Sequence, residues 1–218
     1  MPTNQKREYN FRIDSPTPTS PAKQEPDVKV ISIDHSAFNL EKIEEIAQVS
    51  EGKALQLMEA CVWCLFHCKH ENGVSMKVVD GDKEVHYSVI WNVSCIDIEA
   101  VRRSYNQDDA IEAGAEAIAF CTVIKRTNYS AVERASTTTG IDYWLGYKDR
   151  HPNEPFHRSG RLEISGIMIE SESNKVSTRL KVKQKQTKPT DHTFPVYIIV
   201  VEFSKPYTTM VLKNANSQ

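Results

Sequence analysis

Two carboxylates stand inside short apolar runs of this 218-residue chain. One is Asp142, in Gly140-Ile141-Asp142-Tyr143-Trp144-Leu145-Gly146. The other is Glu163, in Arg161-Leu162-Glu163-Ile164-Ser165-Gly166. A carboxylate within a strand is costly unless it has a partner. Side chains alternate along a strand, so Ile141, Tyr143 and Leu145 point one way, and Asp142 and Trp144 the other. In the second run Leu162 and Ile164 oppose Arg161, Glu163 and Ser165. If the strands pair, Asp142 and Glu163 converge. With a third acid from a nearby helix they make an oxygen-rich site suited to Mg2+. Glu133 and Glu116 are the candidates for that acid.

A strand Asp followed by a strand Glu-x-Lys, with a helical Glu upstream, resembles the PD-(D/E)XK nuclease superfamily, which has the restriction-endonuclease-like fold. Asp142 matches the Asp, Glu163 the Glu, and Glu133 or Glu116 the helical acid. Ser165 stands where the Lys should be. In some members that Lys moves to a neighbouring element, and the next segment here is rich in Lys. The resemblance covers roughly residues 107–203. It implies a metal-dependent nuclease in a defence or mobile-element context, acting on DNA or RNA. Asp142 and Glu163 would hold Mg2+, and Lys183 or Lys175 would supply the missing cation. The Ser165 departure equally suits a non-catalytic scaffold or partner subunit with this fold. A third reading has no site at all, with Asp142 in a buried ion pair with Arg161 or Arg134.

The strongest basic segment follows Glu163: Lys175, Arg179, Lys181, Lys183, Lys185 and Lys188. Val176, Leu180 and Lys183 suit a helix there. Such a segment is either a solvated face or a phosphate-backbone contact. The net charge of −2 excludes a wholly basic nucleic-acid coat and leaves only local patches. His151 and His157, in the loop from Tyr147 to Gly160, could touch a substrate or simply be exposed.

Cys61, Cys64, His67, Cys68 and His70 suggest metal ligands by type. All five fall on one helix, however, and the distant second ligand pair is missing. Cysteine is also an ordinary small core residue, so this segment is read as core.

The elements that must position these residues follow from periodicity. Residues 1–28 are polar and proline-bearing, which predicts a disordered tail. Val28–Ile33 reads as an edge strand. Residues 29–106 form a preface: a helix from Asn39 broken at Gly52, a helix over 53–70, and a hairpin around Asp80-Gly81. Asp97 caps a short helix. Residues 107–212 form an α/β core. It opens with a long amphipathic helix from Asp108 that carries Glu112 and Glu116. A short helix capped by Ser130 carries Glu133 and Arg134. The strands of Asp142 and Glu163, the basic helix, a buried strand over 195–203 and an edge strand over 207–212 complete it. No Gly/Pro linker separates preface from core, so they should pack together as one α+β unit with a mixed central sheet flanked by helices. No apolar run of about 18 residues predicts a membrane span, and no apolar leader predicts secretion. Five cysteines, three of them on one helix, suggest reduced thiols in a cytosol.

Overall fold

The longest helix, α4 (Gln107–Arg126), begins where the Asn106 side chain accepts a hydrogen bond from the Asp109 N–H. Asp108 and Asp109 then lie at its positive end and Lys125 and Arg126 at its negative end, as the helix dipole favours. Its run of Ala, Gly and Cys is buried, because small side chains let it approach two layers at once. In the computed structural model, which describes residues 37–147, 156–187 and 194–214, α4 lies between helix α2 (Glu51–His67) and a sheet. The predicted tail and the 28–33 strand, with His151 and Lys188, fall outside the described residues.

Among the described residues the sheet has eight strands: β1 (Ala37–Asn39), β2 (Val74–Asp80), β3 (Lys83–Ile90), β4 (Tyr129–Arg134), β5 (Tyr143–Tyr147), β6 (Arg158–Ile167), β7 (Val196–Glu202) and β8 (Tyr207–Lys213). Their order is β1-β3-β2-β8-β7-β6-β5-β4. The pairs β1–β3, β2–β8 and β6–β7 are parallel and the rest antiparallel. This is the mixed, helix-flanked α+β sheet that the patterning predicts. The β2–β3 hairpin of the preface belongs to the same sheet as the strands after residue 107. Helices α1 (Ile43–Ala47), α2 and α4 cover one face, burying Leu162, Ile164, Ile199 and Val201. Helix α5 (Val176–Gln186) covers the other, over Val200, Ile167 and Ile198. The short helix α3 (Ile98–Ser104) is capped by Asp97. Among the described residues no helix is long and apolar enough to cross a membrane.

Two local expectations are corrected. The predicted break at Gly52 lies upstream: Gln48 takes a left-handed conformation (φ 55°), and Ser50 caps α2 so that Gly52 is helical. Residues 129–134 form β4, not a short helix. Ser-x-x-Glu spells a helix start locally, but antiparallel pairing of Ala131–Arg134 with Tyr143–Gly146 prevails. Thr127 sets this up by leaving the helix in an extended conformation, while its hydroxyl donates to the Val123 carbonyl and accepts from the Tyr129 N–H.

The thiols of α2 serve the core. Cys61 and Cys64 are buried, and the Cys64 thiol donates to the Ala110 carbonyl on α4. Burial pushes both thiols well above their usual range. The Cys68 thiol contacts Met168, and His70 bonds the Phe203 and Ser204 carbonyls.

Candidate functional site

Strand β5 stops pairing with β6 at Tyr143–Leu162, whereas β6 runs on alongside β7 to Ile167. Among the described residues, one edge of β6 therefore has no strand partner from Glu163 onward. Asp142 sits at this fork. Its N–H donates to the Leu162 carbonyl at 3.0 Å, and its carbonyl accepts from Ala135 at 2.9 Å. Its carboxylate then takes the place of the next strand carbonyl, accepting the Ile164 N–H at 2.8 Å. The backbone before Tyr143 is no longer regular strand. Ile141 accordingly packs with Trp144 rather than facing with Tyr143 as strict alternation predicts.

Glu163 points to α5, and there it meets Lys183. The ammonium lies 2.5 Å from Oε1, with the two side chains only 18% and 5% exposed. A pair this desolvated is not a solvated-face contact. Burial and the adjoining Asp142 carboxylate raise the Glu163 pKa to about 7, and Lys183 only partly offsets them. The Asp142 carboxylate is close enough to disfavour ionisation of Glu163. Two acids this close resist ionising together, unless a cation joins them.

A cleft of about 630 Å3 opens here, bounded by Asp142, Ile164, Lys183 and Arg179 on one side and by Asp108 and Glu116 of α4 on the other. Arg179 stands one turn before Lys183 on α5 and is held by Asn174 at 2.8 Å. Lys181 and Lys185 are exposed on the far side of that helix. The basic segment thus splits, with Arg179 and Lys183 in the cleft and Lys181 and Lys185 outside it. Lys175, the N-cap of α5, is exposed.

The two candidate third acids are engaged elsewhere. Glu133 of β4 pairs with Arg158 at 2.7 Å beside Trp144, both side chains about half exposed. Glu116 reaches the cleft from the α4 face of the sheet and is held by Arg134 and Lys53, each at 2.7 Å. Among the described residues no three His, Cys, Asp or Glu side chains form a metal-holding group, so Asp142 and Glu163 stand as two. Arg161 is fully buried and donates to the main-chain carbonyls of Phe194 and Thr187. His157 is exposed.

A scan against protein-family models and a search of curated proteins found no match. The site's chemistry is therefore read from its own residues.

Sequence reasoning read His67 with the core of its helix, whereas it is exposed, stacks on Trp63 and lines the cleft. It also missed the role of Arg134 and Lys53. Both are tertiary placements with no local signal.

The raised Glu163 carboxyl has a consequence for stability. Between an unfolded value of ~4.3 and about 7, the native state binds more protons than the unfolded chain. The group's contribution is thus fully present at low pH and is lost as pH rises through that window. Replacing Asp142 by Asn removes one of its two causes while keeping an acceptor for Ile164 N–H. Asp142→Asn should shrink the loss of stability between pH 4.5 and 7.5 by about 1 kcal/mol. Urea unfolding of both proteins at the two pH values measures this, and an unchanged loss contradicts the coupling.

Proposed function

We propose that the chain hydrolyses phosphodiester bonds of DNA or RNA, using a divalent cation such as Mg2+ held by Asp142 and Glu163. One observation carries the reading: Lys183, from the helix that follows β6, brings its ammonium to Glu163 beside Asp142. It supplies the cation that Ser165 cannot. Asp, Glu and Lys of the PD-(D/E)XK pattern are then all present, with the Lys moved to α5. The donor set suits Mg2+, which takes one or two carboxylates and keeps several of its waters. When bound, such an ion supplies Lewis acidity toward a phosphoryl oxygen and makes a bound water more acidic.

The chain's own residues orient the rest. Ile164 N–H fixes the Asp142 carboxylate. Lys183 has three N–H donors, of which one serves Glu163, so others can meet a phosphoryl oxygen or a water in the cleft. Arg179 offers a planar guanidinium to the phosphate backbone. The five free cysteines suit a reducing cytosol.

The test incubates wild-type protein with duplex DNA, single-stranded DNA and RNA, in Mg2+ or Mn2+. Cleavage that stops on chelation supports the reading, and neither cleavage nor binding of any nucleic acid removes it. A second reading, a non-catalytic scaffold, has its own support: Glu163 and Lys183 neutralise each other as a structural ion pair would.

The split of the basic segment gives a binding prediction. Removing one phosphate-neutralising cation lowers the slope of log K against log salt by ~0.9 for duplex DNA. Arg179→Gln should lower the slope by about 1, whereas Lys181→Gln with Lys185→Gln should change it by less. Fluorescence anisotropy across a salt series, in Ca2+ to prevent turnover, reads both. A larger drop in the double variant would place the nucleic acid outside the cleft.

A further inference from the structure

We propose that Arg134 and Lys53 act as fixed cations that hold Glu116 out of the metal site, so that the cleft takes one divalent ion and not two. The proposal rests on the metal-dependent reading of Asp142 and Glu163. Glu116 is the acid of α4 that could otherwise turn toward Asp142, since the two line the same cleft. Its side chain is 5% exposed, and both its oxygens are engaged. Oε1 accepts from Arg134 Nη1 at 2.7 Å. Oε2 lies 2.7 Å from the Lys53 ammonium, an ion pair by distance but not an aligned hydrogen bond.

Arg134 is well placed for this role. It stands opposite Tyr143 in the β4–β5 ladder, next to Asp142. Its guanidinium lies 4.9 Å above the Tyr143 ring and 3.9 Å from Glu112, one turn before Glu116 on α4. Burial pulls its pKa down, but the surrounding Tyr143, Glu116 and Asp142 more than offset this, leaving it raised. A guanidinium so placed stays charged at every working pH. With Lys53 it lines a neighbouring cavity of about 610 Å3 that Glu116 also borders, so the Glu116 carboxylate is held on that side.

Arg134 is thus a positioning residue, and its readout is ion stoichiometry rather than turnover. The experiment titrates the 218-residue protein with Mn2+, counting free ion by electron paramagnetic resonance. Wild type should bind one ion per chain. Glu116→Gln should leave that affinity within about threefold, because the residue is not a ligand. Arg134→Met should bind a second ion, Arg134→Lys should bind one, and Arg134→Met combined with Glu116→Gln should return to one. Two ions in wild type overturn the proposal, as does a tenfold loss in Glu116→Gln. An Arg134→Met variant that folds and binds only one ion contradicts the part given to Arg134; Lys53→Met offers the same test if Arg134→Met does not fold. No ion in wild type overturns the metal-dependent reading itself, and this proposal with it.

Discussion

On the proposed phosphodiester hydrolysis, Lys183→Met should lower the cleavage rate by about a thousandfold, roughly 4 kcal/mol of transition-state stabilisation, while binding changes by less than about fivefold. The expectation follows from where the ammonium stands. It is desolvated against Glu163, and Glu163 adjoins Asp142. Methionine keeps the bulk of the stem and removes only the charge. Two effects then add. No ammonium remains to meet a phosphoryl oxygen, and the raised Glu163 carboxyl is deprived of the neighbour that favours its ionised form. The second effect makes a further demand: the activity that survives should shift its pH dependence upward, since Glu163 would ionise later. Affinity is spread over other groups, Arg179 among them, so it should fall less. Single-turnover cleavage from pH 6 to 9, with anisotropy in Ca2+, separates the two. Equal losses of rate and affinity would make Lys183 a phosphate contact only.

Gly166→Ala should destabilise the protein by about 3 kcal/mol, which for a chain of this size is a fall in melting temperature of about 10 °C. A Cβ at residue 166 would lie 2.5 Å from Ile111 Cγ2 and 2.6 Å from the Ile111 carbonyl oxygen. The carbonyl belongs to the backbone of α4, so no rotamer change relieves the clash. The helix must move off the face of β6. On its other side α4 is hemmed in by α2, where a Cβ on Gly114 would stand 3.1 Å from Cys61 Cα. Gly114→Ala has slightly more room and should cost about 1 kcal/mol. Urea unfolding monitored by circular dichroism measures both. A change below about 0.5 kcal/mol in Gly166→Ala would mean that α4 can yield.

Much of the site's framework was legible because strand phase and helix period are local properties. The apolar runs around Asp142 and Glu163 pair as β5 and β6, and the two acids meet. The Val176, Leu180 and Lys183 spacing marks α5 as a helix, and that helix delivers Lys183. Other features depend on distant partners. Residues 129–134 carry a helix-start spelling, and only the neighbouring β5 makes them a strand. No pattern in the sequence reveals that β5 leaves β6 at Leu162 while β6 runs on to Ile167, although that mismatch opens the cleft. The ties of Glu116 to Arg134 and Lys53 join residues 18 and 63 positions away, beyond the reach of any periodicity. The same holds for His67, whose helix suggests core packing and whose side chain lines the cleft.

The most direct measurement compares wild type with the Asp142→Asn, Glu163→Gln double variant, made and purified in parallel, for cleavage of DNA and RNA in Mg2+ and Mn2+. The substitutions remove both charges and keep shape and hydrogen-bonding capacity, so the fold should persist and nucleic-acid binding should stay within about fivefold. Metal-dependent hydrolysis at Asp142 and Glu163 predicts ion-dependent cleavage by wild type and none by the double variant. Cleavage that persists undiminished in the double variant would contradict it.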